Sequence, residues 1–199
     1  MRLYFASTNE GKIRELEALA APLGVELSSP SGGVLPWEVA EIGDSFGANA
    51  LLKASVAAKR VDGWALADDS GLCVDALGGA PGVQSARWSG QGDAGNNARL
   101  LRELEGVAPE RRGAVYRCAL ALADARGEEL LVVAECRGRI ALAPRGTQGF
   151  GYDPLFELPE EGFRTFGELP AEVKARLSHR SRAFAKLQPI LKLLAERRR

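Results

Sequence analysis

Apolar and polar positions alternate along the chain in two rhythms, one of strands and one of helices. Arg2 to Ala6 (RLYFA) is a short apolar strand, closed by the polar turn Ser7, Thr8 and Asn9. Ile13, Leu16, Leu19 and Ala20 then recur at helical spacing, with Thr8 or Asn9 placed as the N-cap and Pro22 and Gly24 as the stop. A loop rich in Gly, Pro and Ser runs from Ser28 to Pro36, too short for an interdomain linker. Phe46 to Arg60 carries Ala50, Leu51, Ala54, Ala57 and Ala58, a second helix with a face of small residues. Trp64 to Ala67 predicts a buried strand and Leu72 to Val74 another, separated by the acidic turn Asp68-Asp69-Ser70-Gly71. Gly78 to Gly95 is rich in loop residues, and Asn96 to Leu104 has helical spacing. Ala114 to Ala123 and Leu130 to Cys136 are apolar strands flanking the turn Asp124 to Gly127, and Arg139 to Ala143 adds a further strand. In the tail from Ser178, Phe184, Leu187, Leu191 and Leu194 repeat at helical spacing, with Pro189 expected to kink or break the helix. Helices at both ends with strands between them predict an α/β fold with a mixed sheet.

Composition narrows the class. The 199 residues, 46% hydrophobic and 26% charged, suit one globular domain over 1–199, whole or split into two lobes. Lys and Arg total 26 against 26 for Asp and Glu. That balance provides no global field toward DNA or an anionic membrane, and no basic stripe precedes Arg197-Arg198-Arg199. The reading therefore expects neither a nucleic-acid nor a membrane partner. No apolar run reaches about 18 residues, and MRLYFASTNE is not a leader pattern, so a cytoplasmic location is expected. Cys73, Cys118 and Cys136 are odd in number and too far apart for paired zinc ligands; reduced, partly buried thiols are expected.

Four stretches offer chemistry. Ser7-Thr8-Asn9-Glu10-Gly11-Lys12 follows a strand and opens a helix, a place where N–H donors and a lysine bind anions, though a plain capping turn has the same residues. Asp68 and Asp69, with Asp75 close behind, are oxygen ligands of the kind that suit Mg²⁺, or else an ordinary surface turn. Gly149-Phe150-Gly151-Tyr152-Asp153-Pro154 sets an aromatic between glycines, either a stacking face for a nucleotide base or a β-bulge beside a core ring. Ser178-His179-Arg180 holds the single His of the chain. With Lys174 it makes a donor cluster near a helix start, or a structural histidine with its neighbours.

Taken together these stretches read as a magnesium–nucleotide site, and the sequence resembles the inosine/xanthosine triphosphate pyrophosphatase family. The resemblance is carried by FASTNEGKIREL, LPWEVAEIGDSFGANALLKA, LADDSGLCVDALGGAPGVQSARWSG, GTQGFGYDPLF and AEVKARLSHRSRA, in the family's order from residue 5 to residue 183. It implies a two-lobed α/β fold with a long twisted mixed sheet flanked by helices, an active-site cleft between the lobes, and a homodimer. It also implies Mg²⁺-dependent hydrolysis of noncanonical purine nucleoside triphosphates (ITP, dITP, XTP) to monophosphate and pyrophosphate. By motif, Ser7, Thr8, Asn9, Glu10, Gly11 and Lys12 would hold the triphosphate together with Lys53. Asp69 would be general base and metal ligand, with Asp68 beside it and Glu41 as the second metal carboxylate. Ser70 and Arg87 would face the substrate. Phe150, Gly151, Tyr152, Asp153, Lys174, His179 and Arg180 would form the base pocket. The stretch Ser31 to Trp37 matches no motif, so Glu41 is placed by counting back from Lys53.

The chemistry is consistent with that assignment. Attack on the α-phosphorus needs a deprotonated water, neutralised phosphate oxygens and a stabilised leaving group, which Asp69, Mg²⁺ and the two lysines can supply. Arg180 only donates hydrogen bonds, so it favours a 6-oxo purine and leaves adenine's amino group unpaired. Two rivals remain: a pyrophosphatase for modified pyrimidine or methylated nucleotides, and a nucleotide sensor without catalysis. The SHR block argues against the first, and retention of Asp68, Asp69 and Glu41 against the second.

Overall fold

The computed structural model describes residues 1–30, 39 and 43–196. Its strands are β1 (Arg2–Phe5), β2 (Glu26–Ser28), β3 (Ala65–Val74), β4 (Gly113–Ala123), β5 (Glu129–Ile140), β6 (Phe156–Leu158) and β7 (Arg164–Thr165). Its α-helices are α1 (Glu10–Ala20), α2 (Phe46–Val61), α3 (Gly92–Glu103), α4 (Ala171–Leu177) and α5 (His179–Glu196). The strands form one open seven-stranded sheet in the order β2-β1-β3-β4-β5-β6-β7. β1 runs parallel to β2 and β3, whereas β6 runs antiparallel to β5 and β7, so the sheet is mixed.

The chain folds as two compact units. The first comprises Met1–Asp69, Cys118–Ala134 and Arg180–Arg199, and the second Ser70–Arg117 and Glu135–His179. In the first unit the two faces of the strands carry different cores. Leu3, Phe5, Leu66, Cys118 and Leu120 pack with Leu16 of α1 and Phe184, Leu187 and Leu191 of α5. The alternate positions Ala65, Ala67, Ala119 and Ala121 pack with Ala50, Ala54, Ala57 and Ala58 of α2, a helix–sheet contact built from small side chains. Ser45 caps α2 by accepting from the Ala48 N–H at 3.2 Å. The second unit closes around Leu72, Leu100, Leu104, Tyr116, Ile140, Leu155, Phe156 and Phe166. Its aromatic centre sets Tyr116 against Phe156 at 4.6 Å and Phe156 against Phe166 at 5.4 Å.

Several expectations are corrected. The acidic stretch Asp68-Asp69-Ser70-Gly71 is no turn; it lies inside the unbroken β3. Pro189 does not end the last helix, because α5 continues through it with Leu187 and Leu191 buried on either side. Of the two N-cap candidates for α1 the structure uses Asn9, as expected, which accepts from the Lys12 N–H at 3.0 Å. α3 begins at Gly92, ahead of the expected Asn96. The short strands β2, β6 and β7 and the helix α4 carry too few periodic positions to be read in advance.

Candidate functional site

In the first unit the two adjacent carboxylates separate. Successive side chains of a strand point to opposite faces, so Asp68 continues the face of Leu66 and Asp69 the face of Ala65 and Ala67. Asp68 is fully buried. Its Oδ1 meets Lys12 Nζ at 2.6 Å, and its Oδ2 accepts from Arg180 Nε at 2.8 Å and from Cys118 Sγ at 3.4 Å. Arg180 also pairs through NH1 with Glu15 of α1. Burial alone would raise the Asp68 carboxyl; the charges of Arg180 and Lys12 overcome that and hold it well below the usual carboxylate range. The same ion pairs outweigh burial at Arg180 and raise its guanidinium. Each carboxylate has its own cations, which also explains how an acidic pair sits inside a buried strand.

On the other face, α2 supplies both partners of Asp69. Lys53 Nζ donates to Asp69 Oδ1 at 3.0 Å and to the Asp68 carbonyl at 2.9 Å. Asn49 Nδ2 donates to Asp69 Oδ2 at 3.1 Å. Ser7 is buried and accepts from the Asn9 N–H at 3.2 Å, Gly11 is buried in the first turn of α1, and Thr8, Asn9 and Glu10 are exposed. Glu41 lies outside the described residues, and among the described residues no three His, Cys, Asp or Glu gather as metal ligands.

In the second unit the glycine–aromatic stretch is a built loop. Asp153 is buried, accepts from the Phe150 N–H at 2.8 Å and pairs with Lys174 of α4. The Lys174 ammonium lies 4.7 Å from the Phe150 ring centre, a cation–π contact. Gly149 is required here: its φ is +78°, and a Cβ would stand 1.9 Å from Asp153 Oδ2. Gly151 is gripped at both backbone groups by one face of α3. Its N–H donates to Asp93 Oδ2 at 2.7 Å and its carbonyl accepts from Asn97 Nδ2 at 2.9 Å. Tyr152 is buried and donates from its hydroxyl to the Ser85 carbonyl at 2.9 Å; burial raises its phenol. His179 stacks on Tyr116 at 4.6 Å and 7°.

The predicted residues thus fall into two groups. Lys12, Lys53, Asp68, Asp69 and Arg180 form one charge network in the first unit; Phe150, Gly151, Tyr152, Asp153 and Lys174 form one loop-and-helix cluster in the second. Ser70 follows Asp69 in β3, half-buried and within the second unit. Arg87 is exposed, its Nε donating to Gln84 Oε1 at 2.9 Å. Of the expected donor cluster, Lys174 pairs with Asp153 in the second unit and Arg180 with Asp68 and Glu15 in the first. Sequence reasoning passed over Asn49, Glu15, Asp93 and Asn97. For three of them the signal is an i,i+4 partner, Asn49 with Lys53 and Asp93 with Asn97, whereas Glu15 is joined to Arg180 only by the fold.

Comparison with known proteins agrees over nearly the whole length. A dITP/XTP pyrophosphatase of Geobacillus kaustophilus is 51% identical over 187 residues, covering 93% of this chain and 91% of that one. Another from Anaeromyxobacter sp. is 48% identical over 227 residues, covering 98% of each chain. Among solved structures, the Ham1 protein of Staphylococcus aureus superposes with a TM-score of 0.84 at 34% identity, covering 96% of this chain and 98% of that one. The nucleoside-triphosphatase / dITP/XTP pyrophosphatase of Mycobacterium abscessus does so at 0.74 and 46% identity, covering 96% and 100%. With its family model matched over residues 3–190, this chain belongs to the Ham1 family.

Proposed function

We propose that this chain hydrolyses noncanonical purine nucleoside triphosphates (ITP, dITP and XTP) to the monophosphate and pyrophosphate, with Asp69 as general base. The observation that carries the reading is its 51% and 48% identity, nearly end to end, with relatives named dITP/XTP pyrophosphatase. Asp69 suits a base because donors fix both its oxygens on one face of β3. Asp68 suits one less, because its side chain is completely enclosed and each of its oxygens pairs with a cation, Lys12 or Arg180, whereas one Asp69 oxygen meets a neutral amide. Lys12, Lys53 and the N-terminal turn of α1 from Ser7 to Gly11 bind phosphate oxygens and stabilise the departing pyrophosphate.

Asp69 also fits a hard cation, since Mg²⁺ uses one or two carboxylates and completes its shell from water and phosphates; Glu41 is the second carboxylate in this reading. When bound, Mg²⁺ supplies neutralisation of phosphate charge. In the second unit, Phe150 above Lys174 offers the ring face for a purine, with Asp153 holding both the Phe150 N–H and Lys174; Gly151, Tyr152 and His179 complete the base pocket in this reading. Arg180, which only donates hydrogen bonds, is the contact to the 6-oxo group in this reading. Ser70 and Arg87 complete the substrate contacts. The reading includes a homodimer in the cytoplasm with no nucleic-acid or membrane partner. Zero net charge supports the lack of a general attraction to nucleic acid or an anionic membrane; no described helix is long and apolar enough to cross a membrane.

A panel of ITP, dITP, XTP, ATP and GTP with Mg²⁺, scored for pyrophosphate against orthophosphate, tests it. Monophosphate and pyrophosphate from the first three, with slow turnover of ATP and GTP, are expected. IDP and orthophosphate as first products, or equal rates on ITP and ATP, overturn the reading.

A further inference from the structure

We infer that Asn49 is a positioning residue that fixes the carboxylate plane of Asp69; this rests on the reading of Asp69 as general base. Asn49 and Lys53 stand one turn apart on α2, so both reach the same carboxylate. Lys53 holds Oδ1 at 3.0 Å and Asn49 holds Oδ2 at 3.1 Å, and two donors on two different oxygens stop rotation of the group. An ammonium is a point donor on a flexible stem and by itself sets no carboxylate plane, whereas the planar Asn49 amide adds a second, directional donor.

The orientation of the Asn49 amide is itself determined. The Gly43 N–H donates to Asn49 Oδ1 at 2.8 Å, which leaves the NH₂ end to face Asp69. Gly43 approaches so closely that a Cβ there would stand 2.6 Å from Asn49 Oδ1. The Asn49 backbone N–H is anchored to the Ser45 carbonyl at 3.1 Å, and the residue is only 1% exposed. A relay Gly43–Asn49–Asp69 thus transfers the position of a backbone N–H to the base. Neither aspartate nor leucine at position 49 can do this, since the first carries no donor when ionised and the second none at all.

A loosened base costs turnover rather than binding, and an ångström-scale misplacement is worth about 10²-fold in rate. Asn49→Ala is therefore expected to lower kcat on ITP by about 10- to 100-fold with KM within about threefold. The thermal shift that ITP induces should persist. Asn49→Asp, which keeps the shape and the Gly43 contact but removes the donor, should be at least as slow as Asn49→Ala. Asn49→Ser, whose hydroxyl is one bond too short to reach Asp69 Oδ2, should be as slow as Asn49→Ala. If Asn49→Ala retains kcat within about threefold while Asp69→Asn loses about 10² or more, the role of Asn49 is overturned and the base reading stands. If Asp69→Asn also retains its kcat, the base reading falls and the role of Asn49 with it. A rise in KM with kcat unchanged, or loss of folding in all three Asn49 variants, assigns Asn49 to binding or to the fold and likewise overturns the inference.

Discussion

Asp68 and Asp69 are identical side chains one residue apart, yet strand alternation gives them opposite surroundings. Asp69 meets one ammonium and one amide, whereas Asp68 sits in a chain of buried charges running Lys12, Asp68, Arg180, Glu15. Breaking a buried pair from one side leaves an uncompensated charge, which costs about 3–5 kcal/mol. Arg180→Ala is thus expected to destabilise the protein by that order. At about 2–4 °C per kcal/mol for a chain of this size, Tm should fall by roughly 6–20 °C, measured by calorimetry at neutral pH. Arg180→Lys keeps the charge but not the two-pronged reach, so it should fall between the two proteins. A drop below about 2 °C in Arg180→Ala would show that Lys12 alone compensates Asp68.

Helices and strands differ in how much of them could be read from sequence. α1, α2 and β4 carry their apolar period over several turns or pleats, so their cores are legible from spacing alone, whereas β5 runs unbroken from Glu129 to Ile140 where spacing predicts one strand from Leu130 to Cys136 and a separate one from Arg139 to Ala143. The spacing predicts two strands in place of β3 because Asp68 and Asp69 look like a break; their tertiary partners Lys12, Arg180, Lys53 and Asn49 make them tolerable in a strand. The same residues explain the partial legibility of the site: motifs named the carboxylates and lysines, but not which cation belongs to which face. α5 shows the converse case. Pro189 removes one helical N–H and is exposed, while Leu187 and Leu191 are buried and hold the helix together. Since proline inside a helix is about 3 kcal/mol less favourable than alanine, Pro189→Ala is expected to stabilise by about 1–3 kcal/mol. The midpoint of urea unfolding should rise with its slope unchanged. An unchanged or lower midpoint would mean that the packing of Leu187 and Leu191 depends on the proline's local geometry.

Over the whole molecule, the shifted groups set limits on stability at both ends of the pH scale. Glu26 is lowered by its hydrogen bond from Arg2, and Glu168 by the Thr165 N–H and by Arg145, but both are water-exposed and screened, so they weigh little. Asp68 dominates the acid side: its buried carboxyl is held down by Arg180 and Lys12. A lowered folded value gives stability that is complete above the unfolded carboxyl's value of about 4 and is lost as pH falls below it. Cys118 is pushed well up, by burial first and by Asp68 next, and Cys73 is raised mainly by burial. Here the unfolded thiol ionises near pH 8.5 while the folded one keeps its proton, so stability is complete below about 8.5 and declines above it. Tyr152, raised by burial, adds to that decline from about pH 10. Tm should therefore be level between about pH 4 and 8.5 and fall on both sides. Cys118→Ala removes the most deeply buried of these thiols, so it should flatten the alkaline fall. The acid fall should remain, because Arg180 and Lys12 still hold Asp68. Melting curves for both proteins from pH 3 to 10 decide the matter. Equal alkaline slopes would assign that limb to Cys73 and Tyr152, and a flattened acid limb in the variant would show that the Cys118 contact is a main support of the Asp68 charge.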